Sequence, residues 1–396
     1  MRVLSICNVY PPHHLGGYEV ICQGLVAHLR GEGQEARVLT TDYRRAEAVG
    51  EDEPGVYRQL GWYWRDHEWP RMTIAQRWAL ERRNAAVFQR HVGEFRPQAI
   101  AWWALGGMSL GLLEQARRQD IPGCVFVLDP WPDYGPRQDL WMHMWSRMRV
   151  ARGLAARVTG LPTRVDLAAA GRWVFCSESM RSMTLETGLA IDDYTILRPG
   201  VDTAFLTAEP EPEAPVWRWR LLYTGRVVRQ KGVHTAVEAL ARLPSRATLR
   251  IVGPGDAGYR SELEALAERL GVRDRLELEP ARERHEMFSI YRDADVVLFP
   301  VEWAEPWGLV PLEAMALGRP VVATGRGGSG EYLGHERNAL LFPAGDAAAL
   351  ASEVRRLADD AGLRERLVRD GRDTARAHSA DQFNRAAAAE LLALAR

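Results

Sequence analysis

Lysine is nearly absent from this sequence. Of the 51 basic residues in its 396, one is a lysine, Lys231, and the rest are arginines. Such an excess of arginine over lysine fits a bias in nucleotide composition. A position that keeps lysine against this bias indicates a chemical requirement for the more compact cation. Lys231 is therefore the first candidate for a functional residue.

Cysteine is scarce and long apolar runs are missing. The four cysteines, at positions 7, 22, 124 and 176, lack the spacing of metal sites, and three of them lie in apolar runs typical of buried strands. We therefore expect reduced thiols and a cytoplasmic protein. No run approaches the roughly 18 apolar residues of a membrane span. The N-terminal run stops at two prolines without a cleavage-site pattern, which predicts a first strand rather than a signal peptide.

The chain also lacks an excess of either charge. Its formal net charge of −1 gives no electrostatic basis for a nucleic-acid partner. Its length exceeds one ordinary hydrophobic core and predicts two domains. Nothing in the sequence predicts an oligomeric state.

What is present is an alternation of short apolar runs with amphipathic helices, which is typical of parallel sheets with helical crossovers. The predicted strands are residues 2–9, 36–41, 98–103, 124–128, 173–177 and 194–197, then 220–224, 248–252, 276–278, 295–299, 320–323 and 339–342. The proline-rich segment 209–215 between the two sets predicts a domain boundary near residue 200. We expect two doubly wound Rossmann-like domains that face each other across a cleft.

Two segments of the first half, 57–96 and 131–157, interrupt this alternation and are rich in tryptophan and arginine. In the second segment, Trp141, Met144, Trp145 and Met148 follow a helical spacing. This pattern predicts an amphipathic helix that packs on its own domain. The alternative is a face for an apolar acceptor or for weak peripheral contact with a membrane.

Lys231 lies shortly after the predicted strand 220–224, together with Gly225 and Arg226, where a helix over 232–243 is predicted to begin. Two cations beside a helix N-terminus, at the carboxyl edge of a parallel sheet, form a site suited to a diphosphate. The alternative is that a single lysine fell here by chance.

Two glutamates eight positions apart, Glu305 and Glu313, follow the predicted strand 295–299. A helix is predicted between Gly308 and Gly318, so both carboxylates can reach the same crevice. Carboxylates accept hydrogen bonds from polyols, which indicates contacts to a hexose and to the vicinal diol of a ribose. Acidic residues near a helix start also complement the helix dipole without any ligand.

In combination these motifs resemble the retaining glycosyltransferases of family 4, which have the GT-B fold. The resemblance rests on Gly225-Arg226 with Lys231-Gly232, on the Glu305 and Glu313 block, on the Gly253-Pro254-Gly255 turn and on Gly16-Gly17 after the first strand. It implies an N-terminal domain over residues 1–200, a donor-binding domain over 201–378 and a C-terminal helix over 379–396 that packs back on the first domain.

The resemblance also implies roles for individual residues. Arg226 and Lys231 would hold the diphosphate of a sugar nucleotide, linked to UDP or GDP, and Glu313 would accept from its ribose. Glu305 would bind the transferred sugar. The contributing backbone and glycine positions would be Gly16, Gly17, Gly225, Gly253, Trp307, Gly308 and Leu309. Neither a metal nor a further cofactor would be required.

The sequence departs from the family where histidines are common. Leu128 and the pair Trp102-Trp103 occupy such positions, which predicts a less polar acceptor side. Asp129 then becomes the candidate for orienting an acceptor hydroxyl, although an aspartate at a strand end also caps turns. His13 and His14 are alternative polar contacts.

Two further motifs are typical of other functions. Gly253, Gly255 and Gly258 satisfy a dinucleotide-binding pattern. They belong to the second βα unit of their domain, which argues against a dinucleotide site. Asp293 and Asp295 form a DxD triplet that precedes its strand, whereas a metal-binding triplet should follow one.

The sequence thus predicts a retaining, metal-independent glycosyltransferase that acts on a small-molecule or lipid-linked acceptor. We expect it in the cytoplasm, with a peripheral location on the inner face of the membrane as an option. A GT-B nucleotide-sugar epimerase and a non-catalytic sugar-nucleotide-binding protein remain as alternatives.

Overall fold

The computed structural model describes residues 1–13, 16–45, 52–64, 69–208 and 216–394. The chain divides into two compact units: unit 1 is Met1–Arg198 together with the residues from Phe383 onward, and unit 2 is Pro199–Gln382. The predicted domain limits, residues 200 and 378, lie close to these divisions. The proline-rich segment 209–215 lies outside the described residues.

Unit 1 is built on a parallel sheet of seven strands. The strands are β1 (Arg2–Cys7), β2 (Glu35–Thr41), β3 (Val56–Leu60), β4 (Ala99–Trp102), β5 (Gly123–Val127), β6 (Arg172–Phe175) and β7 (Tyr194–Ile196). Their order is β3-β2-β1-β4-β5-β6-β7. Because β1, β4 and β5 lie inside the sheet with helices on both faces, their side chains are almost all buried.

Strand β3 is a correction to the prediction that residues 57–96 form an insertion. Val56–Leu60 forms the edge of the sheet and pairs with β2. Four of its five residues are partly exposed, so the strand lacks the continuous apolar run by which the others were recognised.

The helices of unit 1 are α1 (Gly17–Gly31), α2 (Ile74–Phe95), α3 (Gly111–Arg117), α4 (Trp131–Gln138), α5 (Leu140–Arg147), α6 (Arg152–Thr159) and α7 (Glu178–Leu185). The core between α1 and the sheet also contains Phe383, Ala387 and Leu391 of the last helix of the chain, Ala380–Leu394. Gly24 of α1 allows a close approach of that helix, because a β carbon there would lie 3.3 Å from the Asn384 amide nitrogen.

Unit 2 repeats the plan with six parallel strands. These are β8 (Arg220–Thr224), β9 (Thr248–Val252), β10 (Leu276–Glu279), β11 (Val296–Phe299), β12 (Val321–Ala323) and β13 (Leu340–Leu341), in the order β10-β9-β8-β11-β12-β13. Two doubly wound α/β units are thereby confirmed. In each sheet the order reverses beside the first strand of the unit, and ligands bind at such reversal points.

The helices of unit 2 complete the chain. They are α8 (Thr203–Thr207), α9 (Val233–Leu240), α10 (Ala257–Arg269), α11 (Met287–Asp293), α12 (Val310–Ala316), α13 (Ala347–Asp359) and α14 (Ala361–Ala377). Helix α15 (Ala380–Leu394) follows them and contributes to the core of unit 1. Short 3₁₀ turns occupy Arg229–Lys231, Arg273–Arg275 and Gly328–Glu331. The core of unit 2 is formed by the apolar faces of α9, α10, α13 and α14 against the sheet.

Candidate active site

The candidate residues of unit 2 follow the two strands at its reversal point. Strands β8 and β11 are paired neighbours, with Leu221 opposite Val296 and Leu222 opposite Val297. The chain leaving β8 carries Arg226 and Lys231, and the chain leaving β11 carries Glu305. Since β8 and β11 end at the same edge of the sheet, Lys231 and Glu305 become neighbours although they lie 74 positions apart in the sequence.

The Lys231 ammonium is enclosed by this second loop. Its Nζ donates to Oε2 of Glu305 at 2.6 Å, and the Trp303 indole Nε1 donates to the same oxygen at 2.7 Å. The Lys231 Nζ also lies 5.5 Å from the centre of the Trp303 ring. The Lys231 and Glu305 side chains are only 12% and 10% exposed. Burial lowers the pKa of Lys231, and the Glu305 carboxylate opposes that effect.

Gly232 allows the two loops to lie this close. Its φ is +66°, and a β carbon at this position would lie 1.9 Å from the Pro300 carbonyl oxygen. The Glu302 N–H donates to the Gln230 carbonyl at 3.0 Å and joins the loops on the other side of the turn. A larger residue than glycine would therefore displace the Lys231 turn from β11.

Arg226 is exposed beside this pair. Its carbonyl accepts from the Tyr223 hydroxyl at 2.7 Å, which fixes the backbone where β8 ends. Gly225 precedes it with a φ of +124°, and a β carbon on Gly253 would lie 2.0 Å from the Gly225 carbonyl oxygen. The glycine turn after β9 therefore packs directly against the Arg226 loop.

Glu313 occupies the middle of α12 and is held by groups that no sequence pattern predicts. Its Oε2 accepts from the Tyr291 hydroxyl at 2.8 Å, and its Oε1 lies 3.5 Å from an Arg284 nitrogen. Burial raises the pKa of Glu313, and Arg284 opposes the shift. The Thr224 hydroxyl, at the end of β8, lies 3.0 Å from the Tyr291 oxygen. Glu313 is thus linked to the same strand end as Lys231.

The segment between the two glutamates is tightly fixed. The Glu305 carbonyl accepts from the Gly328 N–H at 2.6 Å, and the buried Trp307 donates from Nε1 to the Pro199 carbonyl at 2.8 Å. Gly308 has a φ of +86°, with the Phe299 ring 2.8 Å from the position of a β carbon. Leu309 immediately precedes α12. The sugar-binding roles predicted for Trp307, Gly308 and Leu309 stay predictions.

In unit 1 the two glycines after β1 lie at the exposed start of α1. The Gly16 N–H donates to Oε2 of Glu19 at 3.0 Å. A donor phosphate at this helix start would therefore meet the negative charge of Glu19 and compete with it for the amide. The role predicted for Gly16 and Gly17 stays a prediction.

Asp129 follows β5 and is partly buried. The Tyr134 hydroxyl donates to its Oδ2, and the Trp131 N–H donates to its Oδ1 at 3.4 Å, an arrangement that holds the carboxylate at the start of α4. Leu128 before it is partly exposed, and its N–H lies 3.3 Å from the Tyr18 hydroxyl. The catalytic role of Asp129 stays a prediction.

Two of the residues expected on the acceptor side lie in the core of unit 1, and the lower polarity of that side stays a prediction. Trp102 and Trp103 are fully buried, and the Trp103 ring stacks on Phe126 with centroids 4.3 Å apart. They serve the core of unit 1 and line no surface. His13 is also buried, and its Nδ1 accepts from the Arg45 N–H at 3.1 Å, whereas His14 lies outside the described residues.

The motifs typical of other functions have structural explanations. Asp295 is buried and accepts from the N–H groups of Arg218 and Arg220 at 2.9 and 2.8 Å, which ties the start of β8 to β11. The four cysteines are buried free thiols. Among the described residues, no cluster of three or more His, Cys, Asp or Glu side chains is arranged to hold a metal ion. Metal independence stays a prediction.

Comparison with known proteins decides the family. Residues 208–374 match the family of "Glycosyl transferases group 1", and residues 15–205 match "Glycosyltransferase Family 4". The chain belongs to the group 1 glycosyltransferases. Its two units are the two Rossmann-like domains of the GT-B fold.

Among the relatives of this glycosyltransferase is a D-inositol 3-phosphate glycosyltransferase of Xylanimonas cellulosilytica, 37% identical over 49% of this chain and 47% of the relative. This match thus spans about half of the relative's length. The lipopolysaccharide core biosynthesis glycosyltransferase LpsD of Rhizobium meliloti is 25% identical over 91% of this chain and 90% of its own. The Anabaena HepE protein, solved in complex with UDP and glucose, has the same fold, with a TM-score of 0.70, 20% identity and 98% of both chains covered.

Proposed function

We propose that this glycosyltransferase moves a sugar, with retention of its anomeric configuration, from a UDP- or GDP-linked donor to a hydroxyl group of an acceptor. The observation that carries the proposal is the enclosed Lys231 ammonium, 2.6 Å from the Glu305 carboxylate at the reversal point of the unit 2 sheet. The complexes of the Anabaena protein with UDP and glucose and with UDP-glucose support this class of donor.

Lys231 and Arg226 would act on the leaving diphosphate. When the bond between the sugar C1 and the β-phosphate oxygen breaks, its electron pair stays on that oxygen, where the two cations stabilise the growing charge. The acceptor oxygen bonds to C1 from the same face, and its proton passes to the departing phosphate. The products are the glycoside and the nucleoside diphosphate. Glu305 would then hold sugar hydroxyls, and Glu313 would hold those of the ribose.

Because two side-chain cations neutralise the diphosphate in this scheme, the reaction needs no divalent ion. We expect turnover to be the same with EDTA and with added Mg²⁺ or Mn²⁺. A loss of at least tenfold on chelation, restored by one of these ions, would contradict metal independence while leaving the donor class intact.

The acceptor would carry an apolar or aromatic portion, as a small molecule or linked to a lipid. An aromatic cluster lies just beyond the carboxyl ends of β2 and β3, where the partly exposed rings of Tyr43 and Trp64 have centroids 5.8 Å apart. Both rings pack against the buried Trp62, at 5.5 and 4.6 Å. Asp129 follows β5 at the same edge of the sheet and would orient the acceptor hydroxyl.

The decisive experiment incubates the full chain with UDP- and GDP-sugars and candidate acceptors, and follows nucleotide release and anomeric configuration by NMR. A glycoside of retained configuration supports the proposal. Release of UDP together with a 2-epimer of the sugar would identify an epimerase, and tight donor binding without any turnover would identify a binding protein. Lys231→Ala should abolish the product, while Arg229→Ala, at an exposed neighbouring cation paired with Glu262, should retain it.

A further inference from the structure

Helix α6 of unit 1 and the turn before it present apolar side chains to solvent. All eight residues of α6 are exposed or partly exposed. Leu154 and Val158 are 69% and 77% exposed, and Val150 in the preceding turn is fully exposed. Because these three positions are four residues apart, they follow one face of the helical path. Contiguous apolar side chains directed at solvent mark a binding surface more often than isolated ones.

The segment is fixed in this orientation. The Thr163 hydroxyl donates to the Arg152 carbonyl at 3.0 Å, at the start of α6. The buried Trp141 of α5 donates from Nε1 to the Pro162 carbonyl at 2.8 Å and ties down the chain after α6. Trp141 of α5 packs inward, as predicted for an amphipathic helix that packs on its own domain. The exposed apolar face belongs instead to α6 and the turn before it.

The charged residues within this segment are of one sign. Between Leu140 and Val165 the sequence has five arginines and no acidic residue, in a chain whose formal net charge is −1. Arg147, Arg149 and Arg157 are exposed beside the apolar face. Apolar side chains rimmed by arginine suit the interface of a bilayer that contains anionic lipids. A second copy of the chain would place like charges opposite each other, which disfavours self-association through this face.

The acidic groups nearby do not cancel this field. Glu114 of α3 and Asp166 border a cavity of about 320 Å³ that Ala156 of α6 also lines. Arg117 and Arg118 donate to Glu114 at 2.8 and 3.0 Å and compensate its charge. Together with Arg164, these arginines outnumber the two carboxylates in the lining of the cavity. In the described part of the chain, no helix combines the length and the apolar character needed to span a bilayer.

We propose that α6 and the preceding turn, residues 148–159, dock this glycosyltransferase on an anionic lipid surface. Val150, Leu154 and Val158 enter the interface, and the flanking arginines contact lipid phosphates. The contact is independent of the donor site in unit 2, and its test requires no turnover.

The test is co-sedimentation of the full chain with phosphatidylcholine vesicles that contain either no anionic lipid or about 30% phosphatidylglycerol, an anionic lipid that makes the surface potential negative. We expect at least tenfold tighter binding to the anionic vesicles, and weaker binding as NaCl screens the charges. Leu154→Ser with Val158→Ser, and separately Arg149→Gln with Arg157→Gln, should each reduce binding at least fivefold. Since these side chains are exposed, the variants should fold normally.

The matched control is Leu270→Ser with Arg269→Gln, which removes an exposed apolar side chain and a neighbouring exposed arginine in unit 2 and should bind like the unchanged protein. Two results would overturn the proposal. One is equal binding of the Leu154/Val158 variant and the unchanged protein to anionic vesicles. The other is a dimer in sedimentation velocity that this variant abolishes, with no vesicle binding by the unchanged protein.

Discussion

The only lysine of the chain forms an ion pair with the first of the two spaced glutamates: Lys231 Nζ lies 2.6 Å from Glu305 Oε2, and both side chains are nearly enclosed. In the proposed function, the Glu305 carboxylate engages the ammonium until a donor binds. A diphosphate that binds Lys231 would release this carboxylate for the sugar hydroxyls. The ion pair connects the two halves of the proposed site. Substitution of either partner should therefore change how the site binds the diphosphate.

Lys231→Arg should reduce kcat/KM at least tenfold, which corresponds to about 1.4 kcal/mol of transition-state stabilisation. A guanidinium is larger and planar, and the pocket between Glu305 and Trp303 is shaped around a compact ammonium. The measurement is steady-state release of nucleoside diphosphate. Arg229→Lys, on the same 3₁₀ turn but exposed, is the matched control and should change kcat/KM less than twofold. Near-normal turnover of Lys231→Arg would refute a role that depends on lysine geometry.

Glu305→Gln should shift the alkaline limit of nucleoside diphosphate binding to lower pH. Burial already lowers the pKa of Lys231, and Glu305 is the largest opposing influence. Without that negative charge the ammonium loses its proton at a lower pH, and the attraction for phosphate is lost with it. The measurement is the dissociation constant of UDP by calorimetry between pH 7 and 10.

Trp303→Phe is the control for this shift, because it removes the second hydrogen bond to Glu305 Oε2 and leaves the carboxylate in place. Its alkaline limit should match that of the unchanged protein. Identical pH profiles for Glu305→Gln and the unchanged protein would mean that Lys231 does not bind the diphosphate.

The sequence predicted much of the fold because parallel strands buried on both faces leave continuous apolar runs. All of the predicted strands exist, whereas β3 escaped notice since Val56–Leu60 is an edge strand with polar, partly exposed residues. The indole positions Trp102 and Trp103 show the limit of such patterns. Their side chains alternate into the two faces of a buried sheet, and a sequence pattern alone does not distinguish that placement from a binding surface.

The site was predictable only in part for a related reason. Lys231, Glu305 and Glu313 stood out by residue type and spacing at strand ends. Tyr291, which donates to Glu313, lies on another helix 22 residues earlier and had no local signal. The place of Trp303 beside Glu305 was easier to predict, since Trp303 lies two residues before Glu305 in the same loop. Contacts between distant elements follow from strand order, and the reversal between β8 and β11 becomes visible only in the folded sheet.

Glu313→Ala should abolish the preference for a ribose over a deoxyribose. If the carboxylate accepts from the ribose hydroxyls, the unchanged protein should bind UDP about tenfold more tightly than 2′-deoxy-UDP, the usual effect of one hydrogen bond to a charged group. The ratio should fall to about 1 in the variant. Both dissociation constants are measured by calorimetry, with GDP and its deoxy form if guanine is preferred.

Glu336→Ala removes an exposed carboxylate of the same unit, one that pairs with Arg356, and should leave the preference for ribose unchanged. If Glu313→Ala retains the tenfold ratio of the two dissociation constants, the ribose does not bind at Glu313.

Glu81→Gln should remove a pH-dependent loss of stability in unit 1. Burial, together with the charge of Asp139, raises the pKa of Glu81 from its ordinary 4.5 to about 8. Between these values the unfolded chain loses the Glu81 proton while the folded chain keeps it, so the free energy of unfolding falls as the pH rises through this window. Glutamine stays neutral and retains an oxygen that can accept from the Tyr63 and Ser109 hydroxyls, which lie 2.8 and 2.6 Å from Glu81 Oε1.

The stability of Glu81→Gln relative to the unchanged protein should therefore increase steadily from pH 5 to pH 8, as measured by urea unfolding at several pH values. Glu94→Gln, at an exposed position of the same helix α2, should show no such trend. A constant difference between Glu81→Gln and the unchanged protein across this range would mean that the folded chain already carries an ionised Glu81. The hydroxyls of Tyr63 and Ser109 would then be stabilising a buried carboxylate rather than a neutral carboxyl group.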